Sequence, residues 1–474
     1  MQTKRKIRSR PSRLVALRSE LRPRVWKGRP GFWAGVRRLV WAWWFWALLA
    51  FLAVYSDHTK LAILAGCLSG FTYLVTPYEQ SPKYGLDSKF SVDSNEFVGS
   101  MIGATGVSFV EGNSIAILND GDEYYPAMLD DINRARHSIT MEAFIYWAGD
   151  IGQEFSRALA RKAHHGVRVK ILLDALGSLY IGNDILKTLK DGGCQVEWYN
   201  PIRWTTIGRI NHRTHRKSLV IDGRVAFTGG AGIADQWTGH AQDPQHWRDI
   251  QVRVEGPAAI PLQTGFAQNW LNATGELLSG GAYFPQPDNA GPFALQTILS
   301  SPEIGSSSIR IMYYLAIVCA RGTIYLANPY FIPDETGRDI LIDAKKRGVD
   351  VKLMLTGRHN DTRLARYGNM QLYGKFLEAG IEIYEYETTM MHQKTMVVDG
   401  AWATIGTTNF DNRSFALNEE SNVCFYDRRL AAEMERIFLR DLENCTRVDL
   451  GTWRRRGLMS KVQGVMALMM KEQI

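Results

Sequence analysis

The chain has 474 residues, 45% hydrophobic and 22% charged, the proportions of an ordinary globular protein with room for two or three domains around a large core. Its net charge of +8 is uneven: residues 1–38 hold thirteen Lys or Arg and one acid, Glu20, a net +12 that leaves −4 for the other 436 residues. A mildly acidic body speaks against a general nucleic-acid binder, and five scattered cysteines (Cys67, Cys194, Cys319, Cys424, Cys445) speak against a disulfide framework or a zinc site.

Two apolar runs follow the basic arm. Leu39 to Tyr55 is uncharged and rich in tryptophan (Trp41, Trp43, Trp44, Trp46); Leu61 to Val75 is also uncharged and is closed by Pro77. As helices they are roughly 25 Å and 22 Å long, short of the ~30 Å hydrocarbon core of a bilayer. The distance of the first run from Met1, with no small-residue cleavage site after it, argues against a signal peptide. Tryptophan favours the membrane interface and Lys/Arg the cytoplasmic side. The expectation is therefore a basic cytoplasmic arm (1–38) and a membrane hairpin of two short helices (39–76) that brings the chain back to the cytoplasmic face. A buried soluble hairpin and a single span are the rival readings. Residues 77–104 are polar and turn-rich, as in a linker.

Helix and strand then alternate. In the first half the patterning predicts a helix over Asp122–Arg136, a strand over Ser138–Tyr146, a helix over Ile151–His165, and strands over Val167–Asp174 and Gln195–Asn200. The second half repeats the order, with a strand over Thr323–Phe331, a helix over Glu335–Arg347, and strands over Val349–Thr356 and Ile381–Glu385. The letters repeat too: Gly166 to Leu172 (GVRVKIL) matches Gly348 to Met354 (GVDVKLM). Repetition on this scale implies an α/β fold of two similar lobes. The expected division is a first lobe over 105–275, an inter-lobe connection over 276–300, a second lobe over 301–448 and an amphipathic tail over 449–474.

Each half carries one copy of a His, any residue, a Lys, four residues and an Asp: His215, Lys217 and Asp222, then His392, Lys394 and Asp399. Asp222-Gly223 and Asp399-Gly400 mark hairpin turns, so these aspartates, although part of the motif, are expected to serve structure. On a strand His215 and Lys217 point the same way, as do His392 and Lys394, with the strand's apolar residues as anchors. If the lobes pack about a pseudo-two-fold axis, both pairs converge on one cleft. Two ammonium groups there would hold a phosphate, one imidazole would attack phosphorus, and the other would protonate the leaving alkoxide. This chemistry calls for no metal and no cofactor. Thr407 and Asn409 could hydrogen-bond a phosphoryl oxygen. Asp249 and Glu420 could each orient an imidazole through its other nitrogen, or else form structural salt bridges.

The doubled motif resembles the signature of the phospholipase D superfamily. Asp120 to Pro126 (DGDEYYP), Arg213 to Lys217 (RTHRK), Val254 to Pro257 (VEGP) and Gly406 to Ser414 (GTTNFDNRS) are similar to the bacterial cardiolipin synthases of that superfamily, from about residue 105 to the C-terminus. The resemblance implies two phospholipase D-type lobes about a pseudo-two-fold axis. It also implies His215 as nucleophile, His392 as general acid/base, and Lys217, Lys394 and Asn409 as phosphate ligands. One phosphatidylglycerol would pass its phosphatidyl group to a second, giving cardiolipin and glycerol. The implied partners are anionic phospholipids and the bacterial inner membrane, with a multi-pass anchor, a cytoplasmic catalytic body and no nucleic acid. A phospholipase D hydrolase releasing phosphatidic acid, and more remotely a nucleic-acid phosphodiesterase, share the motif. This chain departs from the family at Gly229-Gly230-Ala231-Gly232, where an Asn is usual in the first half.

Overall fold

The computed structural model describes residues 43–56, 58–75, 89–201, 211–301 and 308–469. The basic arm of residues 1–38 and the first part of the expected linker lie outside the described residues. Helices α1 (Trp43–Tyr55) and α2 (Thr59–Val75) form a hairpin whose seam is small, with Ala53, Ala62 and Ala65 buried, while Phe51, Val54, Ile63 and Leu64 face outward. Among the described residues no helix is long and apolar enough to cross a membrane. The expected linker ends in a helix, α3 (Asn95–Thr105), capped by Ser94, whose hydroxyl accepts from Phe97 N. Phe97 and Met101 are buried in the core of the second half beside Trp402. Two apolar side chains one helical turn apart were the signal within this polar stretch.

The first lobe runs β1 (Val110–Asn119), α4 (Asp120–Arg134), β2 (Ser138–Ala143), α5 (Asp150–His164), β3 (Arg168–Asp174), α6 (Asn183–Asp191), β4 (Gln195–Tyr199), β5 (Arg213–Thr214), β6 (Ser218–Ile221), β7 (Val225–Gly229), β8 (Ile250–Glu255) and α7 (Ala259–Thr274). The second runs β9 (Phe293–Ser300), α8 (Ser308–Cys319), β10 (Thr323–Asn328), β11 (Phe331–Ile332), α9 (Glu335–Lys346), β12 (Asp350–Thr356), α10 (Arg363–Glu378), β13 (Glu382–Tyr386), β14 (Thr395–Val398), β15 (Trp402–Gly406), β16 (Phe410–Asp411), α11 (Asn412–Ala416), β17 (Asn418–Phe425), α12 (Arg428–Leu442) and β18 (Cys445–Arg447). Helices α13 (Leu450–Arg454) and α14 (Leu458–Met469) follow.

One sheet passes through both lobes. Read from its two ends inward, the order is β4-β3-β2-β6-β7-β8-β1 and β13-β12-β10-β14-β15-β17-β9, with β18 added beside β13. The equivalent strands β1 and β9 meet antiparallel at the centre, and antiparallel pairing of equivalent strands places a pseudo-two-fold axis between them. Strand β9 falls within the stretch expected to be an inter-lobe connection; it is instead central to the sheet, bonded to β1 and β17. Strands β2, β3 and β4 are parallel, as are β10, β12 and β13. β2 is buried along its whole length and β3 from its second residue on, as strands covered by helices on both faces must be. A shared apolar core joins Val220, Ala226 and Val252 of the first lobe to Val397, Ile405 and Val423 of the second.

The hairpin turns behave as their Asp-Gly pairs predict. Asp222 and Gly223 have φ of 52° and 64°, and Asp399 and Gly400 of 54° and 55°, the left-handed pair of a type I′ turn. Asp222 accepts hydrogen bonds from the backbone N–H of Arg136, His137 and Ser138 at 2.7–2.9 Å. Asp399 does the same for Arg321, Gly322 and Thr323 at 2.7–2.8 Å. Each aspartate therefore moors its turn to the start of the neighbouring strand. Each lies seven positions along extended chain, on the order of 20 Å, from the histidine of its motif, so neither reaches the imidazoles.

The lobes are also pinned by a buried ion cluster. Arg248 donates from Nε to Asp441 on α12 at 2.9 Å and from its terminal nitrogens to Asp120 at 3.1 Å and Asn119 at 2.9 Å. Removing one partner strands a buried guanidinium. Asp441→Ala is therefore expected to lower stability by on the order of 3 kcal/mol, measured as a fall in the thermal unfolding midpoint, whereas the exposed Arg436→Ala leaves it nearly unchanged.

Candidate active site

Residues 215–217 and 392–394 are extended segments leading into β6 and β14, and lie just outside the regular strands expected to contain them. Alternation still holds. His215 and Lys217 share one side, while Arg216 turns away to the carbonyls of Gly265 (3.0 Å) and Ser300 (2.9 Å) and to the Glu419 carboxylate (2.6 Å). Gln393 likewise turns away and donates to Asp441 at 3.0 Å. The residue between each His and Lys is thus a polar anchor rather than an apolar one. Both segments are registered against the opposite lobe: His215 N donates to Glu419 O at 2.9 Å, and His392 N to Arg248 O at 2.7 Å.

The side chains cross the seam in the same way. His215 Nδ1 lies 3.0 Å from each oxygen of Glu420, which stands on β17 of the second lobe. His392 Nδ1 lies 2.8 Å from Asp249 Oδ2, just before β8 of the first lobe. Each carboxylate therefore fixes Nδ1 as the proton-bearing nitrogen of an imidazole from the other half and leaves Nε2 for chemistry. The acids are held in turn: Thr407 donates its hydroxyl to Glu420, and Trp237 donates Nε1 to Asp249 at 3.0 Å. Thr407, expected to bind a phosphoryl oxygen, is thus committed to orienting Glu420.

The two halves differ where the sequence departs from the family. Gly230 occupies the place of Thr407, and a Cβ there would come within 2.2 Å of Asp249 Oδ1, so the glycine makes room for the carboxylate. Gly232 occupies the place of Asn409, and its Cβ would meet Ile145 at 2.9 Å. A first-lobe asparagine is sterically excluded, and a small cavity of about 30 Å³ lies there beside Glu142, Lys217 and Gln251. Asn409 itself is buried, and its side-chain oxygen has no hydrogen-bond partner among the described residues.

Lys217 Nζ donates to His215 O at 3.0 Å, and Lys394 Nζ to His392 O at 2.6 Å while lying 3.1 Å from His392 Nε2. Burial, and then the charges of Lys217, Lys394 and Arg413, hold His215 well below the usual imidazole range. Burial, reinforced by Lys394 and opposed by Asp249, brings His392 down to about 4. The hydrogen bonds from His215 to Glu420 and from His392 to Asp249 bring both motifs to the seam between the lobes. Burial likewise lowers Lys394 to about 8, and with the charge of Lys394 it lowers Lys217. Burial raises Glu420, against the pull of Lys217. Burial alone would raise Asp249 too, but the His392 hydrogen bond and Lys394 hold it below the ordinary carboxylate range. The site is a cationic, largely dry cleft with neutral imidazoles.

Aromatic rings wall it. Phe144 stands edge-on to His215 at 5.2 Å; Trp237, Trp247 and Tyr330 surround His392 at 5.3, 5.8 and 6.3 Å. None of these four, nor Arg413, was singled out from the sequence. They come from the segment after β2, the β7–β8 connection, the β10–β11 connection and α11, which only the fold brings together, and no local spacing marks them.

The sequence model of the family described as "Cardiolipin synthase, PLD-like domain" matches residues 128–261 and 315–442, more than half of the chain. The chain belongs to that family. A cardiolipin synthase of Geobacillus kaustophilus is 36% identical over 344 residues, covering 72% of this chain and 68% of the relative. Cardiolipin synthase 2 of Bacillus anthracis is 34% identical over 364 residues, 76% and 70% of the two chains. Among solved structures, phosphatidylserine synthase of Haemophilus influenzae superposes with a TM-score of 0.62 over 80% of this chain and the whole of that one. At 13% identity this is a likeness of fold alone. The matched family segments contain His215, Lys217 and Asp249 in one half and His392, Lys394, Asn409 and Glu420 in the other.

Two outcomes follow from this geometry. Gly230→Ala is expected to displace Asp249 from His392 and lower kcat roughly tenfold or more, with the chain still folded by circular dichroism. In a pH series, kcat/KM for an anionic diester should not fall on the acid side, because His215, the nucleophile, stays neutral well below pH 6.5 while His392, the proton donor, is increasingly protonated. It should fall as pH rises through about 7 to about 8, where free Lys217 and then Lys394 lose their protons.

Proposed function

We propose that the chain is a phosphatidyltransferase that makes cardiolipin from two phosphatidylglycerol molecules. The observation that carries the reading is the pair of imidazoles, each held by a carboxylate of the opposite lobe, in a chain whose relatives of 34–36% identity over about seven tenths of its length bear the name cardiolipin synthase. His215 Nε2 attacks phosphorus of the first lipid, and the phosphorus–oxygen bond to the headgroup glycerol breaks. His392, which takes up a proton at Nε2 as the anionic lipid enters beside it, gives that proton to the departing oxygen, and glycerol leaves. His392 then takes the proton of a headgroup hydroxyl on the second lipid. That oxygen attacks phosphorus, the phosphorus–nitrogen bond breaks, and His215 is restored. Lys217, Lys394 and Asn409 hold the non-bridging oxygens as charge builds on them. The aromatic walls favour a lipid alcohol over water as acceptor by keeping the covalent intermediate dry.

The same reading places the protein on the bacterial inner membrane with its body on the cytoplasmic side. The α1/α2 hairpin would be seated in the inner leaflet and the basic arm of residues 1–38 against anionic headgroups. The domain division set out from the sequence is kept with two changes: α3 joins the second lobe, and β9 joins the sheet.

The test is turnover of labelled phosphatidylglycerol in mixed micelles by the purified full chain with EDTA present, beside His215→Ala. Cardiolipin and glycerol should appear, survive EDTA and vanish in the variant. Phosphatidic acid as the sole product would make the protein a hydrolase, and no turnover of any phospholipid would overturn the reading. His392→Ala should lower kcat by about 10²–10⁴-fold.

A further inference from the structure

Helix α14 is built inside out. Its inward side is small: Gly464 packs against Gln371 and the Tyr367 backbone of α10, and Ala467 against Gly368. Its outward side is Leu458 and Met459, 78% and 69% exposed, with Val462, Val465 and Met466 also exposed. A surface helix of a soluble domain points its apolar stripe the other way. The helix is firmly placed, since Trp453 just before it donates Nε1 to Met370 O at 2.6 Å. The Trp453 ring lies over Gly374, where a Cβ would come within 2.2 Å of it. Arg456 donates to Gln371 at 2.6 Å. Residues 450–469 contain Arg454, Arg455, Arg456 and Lys461 and no acid. Arg454 is paired with Glu378, while Arg455 and Lys461 are exposed.

The opposite lobe exposes a second apolar group. Leu176, Leu179 and Tyr180, between β3 and α6, are exposed, and this loop is tied to the site, since Ser178 Oγ donates to the carbonyl of Phe144 at 2.9 Å. Phe144 is the ring beside His215. On the α14 side, α10 reaches the site through Asn369, which donates to Pro329 O and accepts from Phe331 N, both at 3.0 Å. Those residues flank Tyr330, the ring beside His392. Each lobe therefore carries an exposed apolar group linked to the segment that walls its own histidine, directly through Ser178 in the first lobe and through α10 in the second.

We propose that α14 and the β3–α6 loop are the face by which this protein docks on an anionic lipid surface, so that the cleft opens onto the bilayer holding its substrates. The proposal rests on the phosphatidyltransferase reading for the lipid, and on cations beside outward apolar side chains for the surface. The helix lies in the interface along its length while the α1/α2 hairpin anchors the chain separately.

The test uses the full chain with the exposed Cys67 replaced by Ser and one cysteine introduced for a fluorescent label, either Met466→Cys or Arg436→Cys. Arg436 is exposed on α12, which packs on the other face of the sheet from α10. In vesicles of phosphatidylglycerol and phosphatidylcholine with brominated acyl chains, the label at 466 should be quenched and that at 436 should not. In the unlabelled chain, Val462→Glu with Met466→Glu should raise the vesicle concentration for half-maximal turnover at least tenfold while leaving turnover of soluble short-chain phosphatidylglycerol unchanged. Three results would overturn the proposal: no quenching at 466, as when a second copy covers the face; equal quenching at both sites; or equal loss on soluble and vesicle substrate. Quenching at 466 with no turnover of wild-type protein would sustain the docking face and sink the functional reading instead.

Discussion

Each imidazole of this protein takes its hydrogen-bonded carboxylate from the other half of the chain. Glu420 reaches back to His215 and Asp249 reaches forward to His392. Much of the architecture can be understood as what keeps that exchange in register. The antiparallel β1–β9 seam sets the axis. The backbone bonds from His215 to Glu419 and from His392 to Arg248 fix the height of each histidine beside the opposite strand. The Arg248 cluster ties α12 of one lobe to α4 and β8 of the other. An error of an ångström in the packing of the lobes would loosen both histidines together, because the carboxylates serve them crosswise.

The electrostatics follow from the same closure. Bringing two lysines, two histidines and two acids together out of water is costly unless each is paired, and here each has a partner across or along the seam. Burial first, and after it the charges of the two lysines, presses the imidazoles toward their neutral form. That form is required of a nucleophile, and the lysines are matched to the charge of a phosphodiester. The same burial weakens the hold of the lysines on their own protons. The anionic substrate thus completes the charge balance of the cleft as well as filling it.

Much of this was legible in the letters. The duplicated motif, the Asp-Gly turns and the alternation of helix and strand predicted two α/β lobes, and element after element appears within a few residues of its expected place. Asp249 and Glu420 were marked as candidate orienting acids because each follows its motif in the chain, with a structural salt bridge as the other reading. Their exchange between lobes was not marked, because sequence order cannot say which of two equivalent neighbours folds nearer. For Thr407 the structure adds a partner the sequence could not show: its hydroxyl donates to the Glu420 carboxylate. α3 and β9 were passed over where turn-forming residues outnumber the apolar ones, although Phe97 and Met101, and the apolar run of β9, are what bury these elements. The aromatic walls come from three connections far apart in sequence, after β2, between β7 and β8 and between β10 and β11, and obey no spacing.

The crossing of the carboxylates says something about descent. A single lobe of this kind would carry a histidine with no acid to orient it and an acid with no histidine to serve. Only two such lobes face to face complete either arrangement. A lobe of this kind is half of a site, and the second copy in the same chain supplies the other half. Nothing in that exchange requires the two halves to be identical. The shorter Asp249 with its neighbouring Gly230, set against the longer Glu420 with Thr407, records how far two halves that still depend on each other have grown apart.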